Sequence, residues 1–391
     1  MKTDKIEAFL LLLSLVSCEV VSPELPDDND SESKVSLFEV AQLLSALPIE
    51  GEQLSEVYTA VTSSSGNGYD EEYTMRDLFS TPGAGVGDDL LGTKAQSFSN
   101  PMKGLIEGYL IEKFKTKAGE ADIDAVHRYM DELASSDVQI YWPFSENWDK
   151  STLPVITFDP QSASESNVGY QVVELEDGSR DVEEVIVDED MAMSRPVWVV
   201  NRNSDGDHKS IDMLRKENPE WGLGGDILIK SGASDYRMLI LKDFCATRNF
   251  DTWFGGASEF MIKCGAVEGF TASTEAEMRL YTPSVTDFMI VVKRKDIKKT
   301  IPLNAVLIAD LSDQLEKFAF LVTEDDGGTV TSWKTNAVVK VNSKSYGIEL
   351  ELPYRDRDDI VWRGTLPTNY FERYSGQVGH FGDVDLVFEI R

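Results

Sequence analysis

The chain has 391 residues, 41% hydrophobic and 10% aromatic, enough for a sizeable core and for two or three domains. Its 69 Asp and Glu against 37 Lys and Arg leave a formal net charge of -32, a field that repels phosphate backbones and so excludes nucleic acid as a partner while favouring cations. Three histidines, His127, His208 and His380, stand in three distant segments, a poor supply for zinc ligation or a Ser-His-acid triad.

Lys2 and Lys5 precede an apolar run from Ala8 to Val16. The run is too short to span a bilayer as a helix and has the size of a signal-peptide core. It ends in Leu15-Val16-Ser17-Cys18, which resembles the bacterial lipobox: branched apolar, apolar, small, cysteine. The resemblance implies a signal peptide over 1–17, cleavage before Cys18, and lipid on that thiol. Residues 18–34 follow as an acidic tether rich in Pro, Ser, Asp and Glu, with too little apolar surface to fold. Acids so soon after the cysteine resemble the surface-export signal of Bacteroidetes lipoproteins. The expected address is the outer membrane, lipid-anchored, on the cell surface or the periplasmic face.

Residues 35–136 predict a helical domain. Ser36 and Glu39 form a capping box, Leu37, Val40, Ala41, Leu44 and Leu47 share one face, and Pro48 ends the run. Leu54, Val57, Tyr58 and Val61 predict a second helix, closed by Ser63 to Gly68. Asn100-Pro101 reads as N-cap and first turn of a third, and Ile123, Val126, Met130 and Leu133 predict a fourth. Gly83, Gly85 and Gly87 space like a phosphate loop, but no lysine follows and Asp88-Asp89 sit where phosphate would go.

From residue 137 the pattern turns to short β-branched runs: Val138 to Tyr141, Val155 to Phe158, Tyr170 to Leu175, Val182 to Val187, Val197 to Val200 and Asp226 to Lys230, with a helix over Ser210 to Glu217. This predicts a mixed β domain over 137–235. Residues 236–391 carry eight strand signals: Met238 to Leu241, Glu259 to Lys263, Phe288 to Lys293, Ala305 to Ile308, Phe318 to Val322, Ala337 to Val341, Tyr346 to Leu352 and Asp385 to Ile390. Eight short strands with Gly and Asp turns predict a β-sandwich domain. The expected fold class is α+β: a helical N-terminal domain, then a mostly β region ending in an antiparallel β-sandwich.

Two acidic constellations have the composition of a calcium site. In Asn201-Arg202-Asn203-Ser204-Asp205-Gly206-Asp207-His208, oxygen side chains fall at positions one, three, five and seven, glycine at six, and Asp212 at twelve. Alternate side chains can wrap a hard cation there while glycine makes the sharp turn. Position one is Asn rather than Asp, twelve is Asp rather than Glu, and an Asx-rich turn of this composition also forms without any ion. In the sandwich, Asp243 and Asp251 are expected in one loop and Glu324-Asp325-Asp326 in another, with Asp243, Asp251, Asp325 and Asp326 as candidate ligands. Acids at one end of a sandwich loosely resemble calcium-binding C2 domains. Asp356, Asp358 and Asp359 either join that rim or form a solvated turn.

Trp142, Glu146 and Trp148 mix aromatic faces with a carboxylate, as a glycan site does, or pack a strand end into the core. Lys293 to Lys299 is a basic island that meets an anionic partner or protects a strand edge. With Cys18 assigned to lipid, Cys245 and Cys264 can bridge in an oxidising compartment, or remain as buried thiols.

Tyr141 to Asp149, Val197 to Asp207, Gly255-Gly256-Ala257-Ser258-Glu259 and Gly379 to Asp385 together are similar to uncharacterised Bacteroidetes lipoproteins. That resemblance implies an address and no activity. The expected function is a membrane-anchored, non-catalytic binding module holding calcium, with a glycan or envelope protein as partner. The alternatives are a hydrolase of glycan or envelope polymer using paired carboxylates, and a structural component of an envelope complex.

Overall fold

The computed structural model describes residues 35–80, 101–115, 121–175, 177–206, 208–217 and 237–391. The leader, Cys18, the tether, the 82–89 glycine segment, the Asn100 cap, Asp207 and the Asp226 to Lys230 run lie outside the described residues.

Five helices open the described chain: α1 (Leu37–Ser45), α2 (Gly51–Gly66), α3 (Met75–Phe79), α4 (Pro101–Lys113) and α5 (Ile123–Ala134). Ser36 caps α1 by accepting from the Glu39 amide, and Asp122 caps α5 by accepting from the Ala125 amide. A short strand, β1 (Glu72–Thr74), interrupts them. It joins a sheet with β2 (Val138–Tyr141), β3 (Val155–Phe158), β4 (Ser166–Glu174), β5 (Arg180–Asp188) and β6 (Val197–Arg202) in the order β1-β2-β6-β3-β4-β5. The β3–β6 pair is parallel and the others antiparallel. Helix α6 (Glu189–Ser194) links β5 to β6, and α7 (Ile211–Glu217) follows β6.

The strand period of two decides what each face of this sheet meets. Trp198 and Val200 turn to the helices, in one core with Val40, Leu44, Val57, Leu78, Ile106, Leu133 and Ile140. Val197 and Val199 turn the other way, with Tyr141 and Val155, against Trp253 and Phe254. The helices before residue 136 and the strands after it therefore share one core.

The C-terminal part is mostly strand: β7 (Leu239–Ala246), β8 (Ser258–Ala266), β9 (Ser284–Val292), β10 (Ile301–Ile308), β11 (Leu315–Glu324), β12 (Val330–Val341), β13 (Lys344–Arg355), β14 (Asp359–Pro367), β15 (Val378–Phe381) and β16 (Val384–Ile390), with short helices α8 (Glu275–Met278) and α9 (Thr368–Tyr374). They form two antiparallel sheets. One runs β10-β7-β16-β15; the other runs β13-β12-β11-β8-β9, with β14 also paired to β11. Their inner faces share one apolar core, where Phe244 meets Phe260 at 5.1 Å and Phe320 meets Phe388 at 5.3 Å between ring centroids. The chain is thus α+β with a mostly β C-terminal part. No helix among the described residues is long and apolar enough to cross a membrane.

Besides the short helices α3, α6, α8 and α9, three strands depart from the expected set. β14 and β15 carry no clear strand signal, because Arg363, Gly364, Gly379 and His380 interrupt the apolar alternation, yet β14 pairs with β11 from Lys317 to Glu324. β1 lies inside the stretch expected to be wholly helical. The disulfide is corrected: Cys245 and Cys264 are both free. Cys264 lies in the inter-sheet core with Phe260 and Ile262, whereas Cys245 alternates with the inward Phe244 and Ala246 and so faces out of the opposite sheet.

Candidate metal centre

The two calcium-like constellations, read separately in the sequence, meet in space. The β7–β8 loop, residues 247–257, rests on the outer face of the mixed sheet through Trp253 and Phe254. Asn201, at the end of β6, donates from Nδ2 to the carbonyls of Phe254 and Gly255, each at 2.9 Å. Asn203 donates to Glu72, Gln139 and Asp205 at 2.9, 2.9 and 2.7 Å. Through their amide nitrogens Asn201 thus ties the sheet to the loop and Asn203 ties the end of β6 to β1 and β2. Asp212, its twelfth position, lies in the first turn of α7 and is held by Arg215 at 3.0 Å.

Carboxylates at ligand spacing gather on the sandwich side of that contact. Among the described residues, Asp251 from the β7–β8 loop, Glu259 from β8 and Glu324 from the end of β11 bring one oxygen each within 4.8 Å of one another. Glu324 stands opposite Phe260 on one side and Asp359 on the other, so strand pairing holds its backbone on both flanks. Its side chain is 0% exposed, and its carboxyl oxygens meet no hydrogen-bonding group other than the neighbouring Asp251 carboxyl. Oδ2 of Asp251 is likewise buried without a donor. A buried carboxylate normally accepts two or three hydrogen bonds; without them its charge is costly.

The electrostatics agree with the geometry. Burial, with the charges of Asp251, Asp326 and Asp325 beside it, holds the Glu324 carboxyl far above the usual carboxylate range. Burial raises Glu259 strongly, helped by Asp251, Asp205, Glu324 and Asp70. Burial raises Asp251 too, and Asp326, Asp159 and Asp70 add to it against an opposing contact from Glu324. Such a cluster favours taking up positive charge, as protons or as a cation.

The next ring is acidic as well. Asp325 is buried and accepts from the Gly327 amide and from Arg355 at 3.3 and 3.4 Å; burial, against the pull of Arg355, brings it to about 6. Asp326 is exposed and rises to about 6, through partial desolvation and then Asp359 and Asp325. Asp358 joins the rim, its carboxyl in contact with that of Asp325. Asp243 is not in a loop: it lies within β7, opposite Val387 and Pro302, and is not one of the three clustered carboxylates. Glu259 carried no sequence signal beyond its place in a strand, and Glu324 was visible only as a neighbour of Asp325.

Gly256 shapes the loop. Its φ of +118° is open to glycine, and a Cβ there would stand 2.7 Å from Oδ2 of Asp70, which accepts the Ala257 amide at 2.9 Å.

The remaining candidates lie elsewhere. Trp142 is 1% exposed and packs edge-on to Tyr58, Trp148 and Trp198, so it offers no face to a sugar. Trp148 donates to the Thr152 carbonyl at 3.0 Å. Glu146 pairs with Lys295 at 2.5 Å. The basic island is spent internally in its first three residues: Lys293 on Glu71 at 3.0 Å, Arg294 on Glu189 at 2.8 Å and Lys295 on Glu146. All three bind acids of the N-terminal layer.

Compared with known proteins, the chain matches no family model, no curated protein and no solved structure.

Proposed function

We propose that this chain is a lipid-anchored envelope protein whose folded part is a non-catalytic binding module stabilised by a calcium ion at Asp251, Glu259 and Glu324. One observation carries the metal reading: the Glu324 carboxyl has no exposed surface and no hydrogen-bonding partner but another acid, and faces two further carboxylates. Calcium binds six to eight hard oxygens at about 2.4 Å, so two oxygens on opposite sides of it stand about 4.8 Å apart. The three carboxylates span that distance or less. An all-oxygen donor set favours calcium over zinc or copper. The lack of solvent access to Glu324 argues against a carboxylate acting on a polymer, which must reach the group that protonates it.

Calorimetric titration of the chelator-treated protein with calcium tests the metal. Binding at one site per chain is expected, weakened at least about tenfold in Glu324→Gln, since affinity follows ligand charge. No heat, with a melting temperature unmoved by calcium or chelator, refutes it. The anchor rests on the lipobox. Labelled palmitate is expected on wild type in a bacterial host and not on Cys18→Ala; equal labelling of both removes that part of the proposal.

A further inference from the structure

The β7–β8 loop performs two tasks within four residues. Asp251 supplies a carboxylate to the acidic cluster, and Trp253 and Phe254, both buried, supply the apolar contact with Tyr141, Val197 and Val199 on the mixed sheet. The same loop is tied to the N-terminal layer by Asn201, by the Ala257 amide on Asp70, and by Trp253, whose Nε1 donates to the Glu165 carbonyl at 2.9 Å. Its seat on the sheet and its place at the cluster are therefore mechanically one.

The other two members of the cluster are held differently. Glu259 and Glu324 belong to β8 and β11, which pair with each other and with β9 and β14. Neither strand can retreat without breaking a ladder of hydrogen bonds. When no cation lies among them, these carboxyls either repel as ions, more strongly in a dry site than in water, or take up protons, and neither state ties all three together as a cation does. The member able to move is Asp251, and Trp253 and Phe254 move with it.

Resting on the calcium reading above, we propose that the ion is a latch. By joining Asp251 to Glu259 and Glu324 it holds the loop down, and so fixes the docking of the N-terminal layer on the sandwich. Calcium level then sets whether the two layers form one rigid surface for a partner, or open at the Trp253–Phe254 contact.

Hydrogen exchange of the full chain, with calcium and with chelator, tests the latch alongside calorimetry on the same sample. In chelator, exchange is expected to speed up at least about tenfold in peptides covering 247–257 and 197–202, and to stay unchanged in 318–322 and 384–390, as a local opening requires. Asp251→Asn, which removes the repulsion along with the ligand charge, is expected to keep the loop protected in chelator and to lose the response to calcium. Calcium that binds without changing loop exchange overturns the latch and leaves the calcium site standing. A uniform change over the whole chain, or an Asp251→Asn loop that opens in chelator like wild type, also overturns the latch. Absence of binding removes the calcium site itself, and the latch with it.

Discussion

β11 carries two chemistries at one level of burial. Phe318, Ala319, Phe320, Leu321 and Val322 are 0% exposed and meet apolar neighbours from both sheets. Two residues on, Glu324 is also 0% exposed and Asp325 3%, and there the neighbours are other acids. The strand's middle is complete with what the chain itself provides. Its end is not, because the buried Glu324 carboxyl lacks the donors or counter-charges that would satisfy it. Burial with satisfied contacts marks a part that stabilises the fold; burial without them marks a part that waits for something added.

Substitutions in the middle and at the end of β11 should therefore have opposite signs. Phe320→Ala deletes a ring packed on Phe388 and Trp362, and a loss of about 3–5 kcal/mol is expected in denaturant unfolding, with or without calcium. Glu324→Leu replaces an unsatisfied carboxylate by an apolar side chain. In chelator it is expected to gain about 1–3 kcal/mol, since a buried carboxyl short of hydrogen-bond partners costs desolvation whether it is ionised or protonated, and to lose any stabilisation by calcium. A Glu324→Leu protein weakened in chelator as much as Phe320→Ala would break the comparison.

Gly256 tests the seam between the two halves. Alanine there meets an unfavourable φ and the Asp70 carboxylate together. The expected loss is about 1–3 kcal/mol, read by thermal unfolding. Gly178→Ala, also at positive φ (+80°) but with open space around its Cβ position, is the control, expected to lose less.

Much of this molecule was legible because strand and helix periods report what each face meets. The strands around Val155, Val197 and Phe318 were readable from β-branched and aromatic runs, and α1 and α2 from apolar spacing. β14 was not, since its alternation is broken by Arg363 and Gly364 while pairing with β11 supplies what its composition lacks. Asp251, Asp325 and Asp326 were identifiable from acidity near turns. Glu259 was not, because a lone acid inside a strand pattern looks like a solvent-facing residue. That Asn201 meets the loop that carries Asp251 depends on tertiary docking, which no local spacing encodes. The unbridged cysteines make the same point: β7 and β8 are consecutive in sequence, yet they lie in different sheets.

The smallest expected effect lies on the N-terminal side of the seam, at Glu71. Its carboxyl is buried and pairs with Lys293 at 3.0 Å. Burial, then the Asp70 charge, outweigh Lys293 and push it up to about 7. A carboxyl whose folded-state pKa lies above its unfolded value near 4.5 binds protons more tightly when folded. Its stabilising contribution is complete below about 4.5 and is lost as pH rises through about 7. A tenfold gain in proton affinity corresponds to about 1.4 kcal/mol, but Asp70 shares the proton uptake and Glu71→Gln also loses the ion pair, so the expected net change is about 1 kcal/mol. Glu71→Gln should therefore flatten the decline in stability between about pH 4.5 and 7.5, measured in chelator so that no cation contributes at the acidic cluster. A slope identical to wild type would mean that Lys293 keeps Glu71 ionised throughout. The seam would then be held by a permanent ion pair on this side.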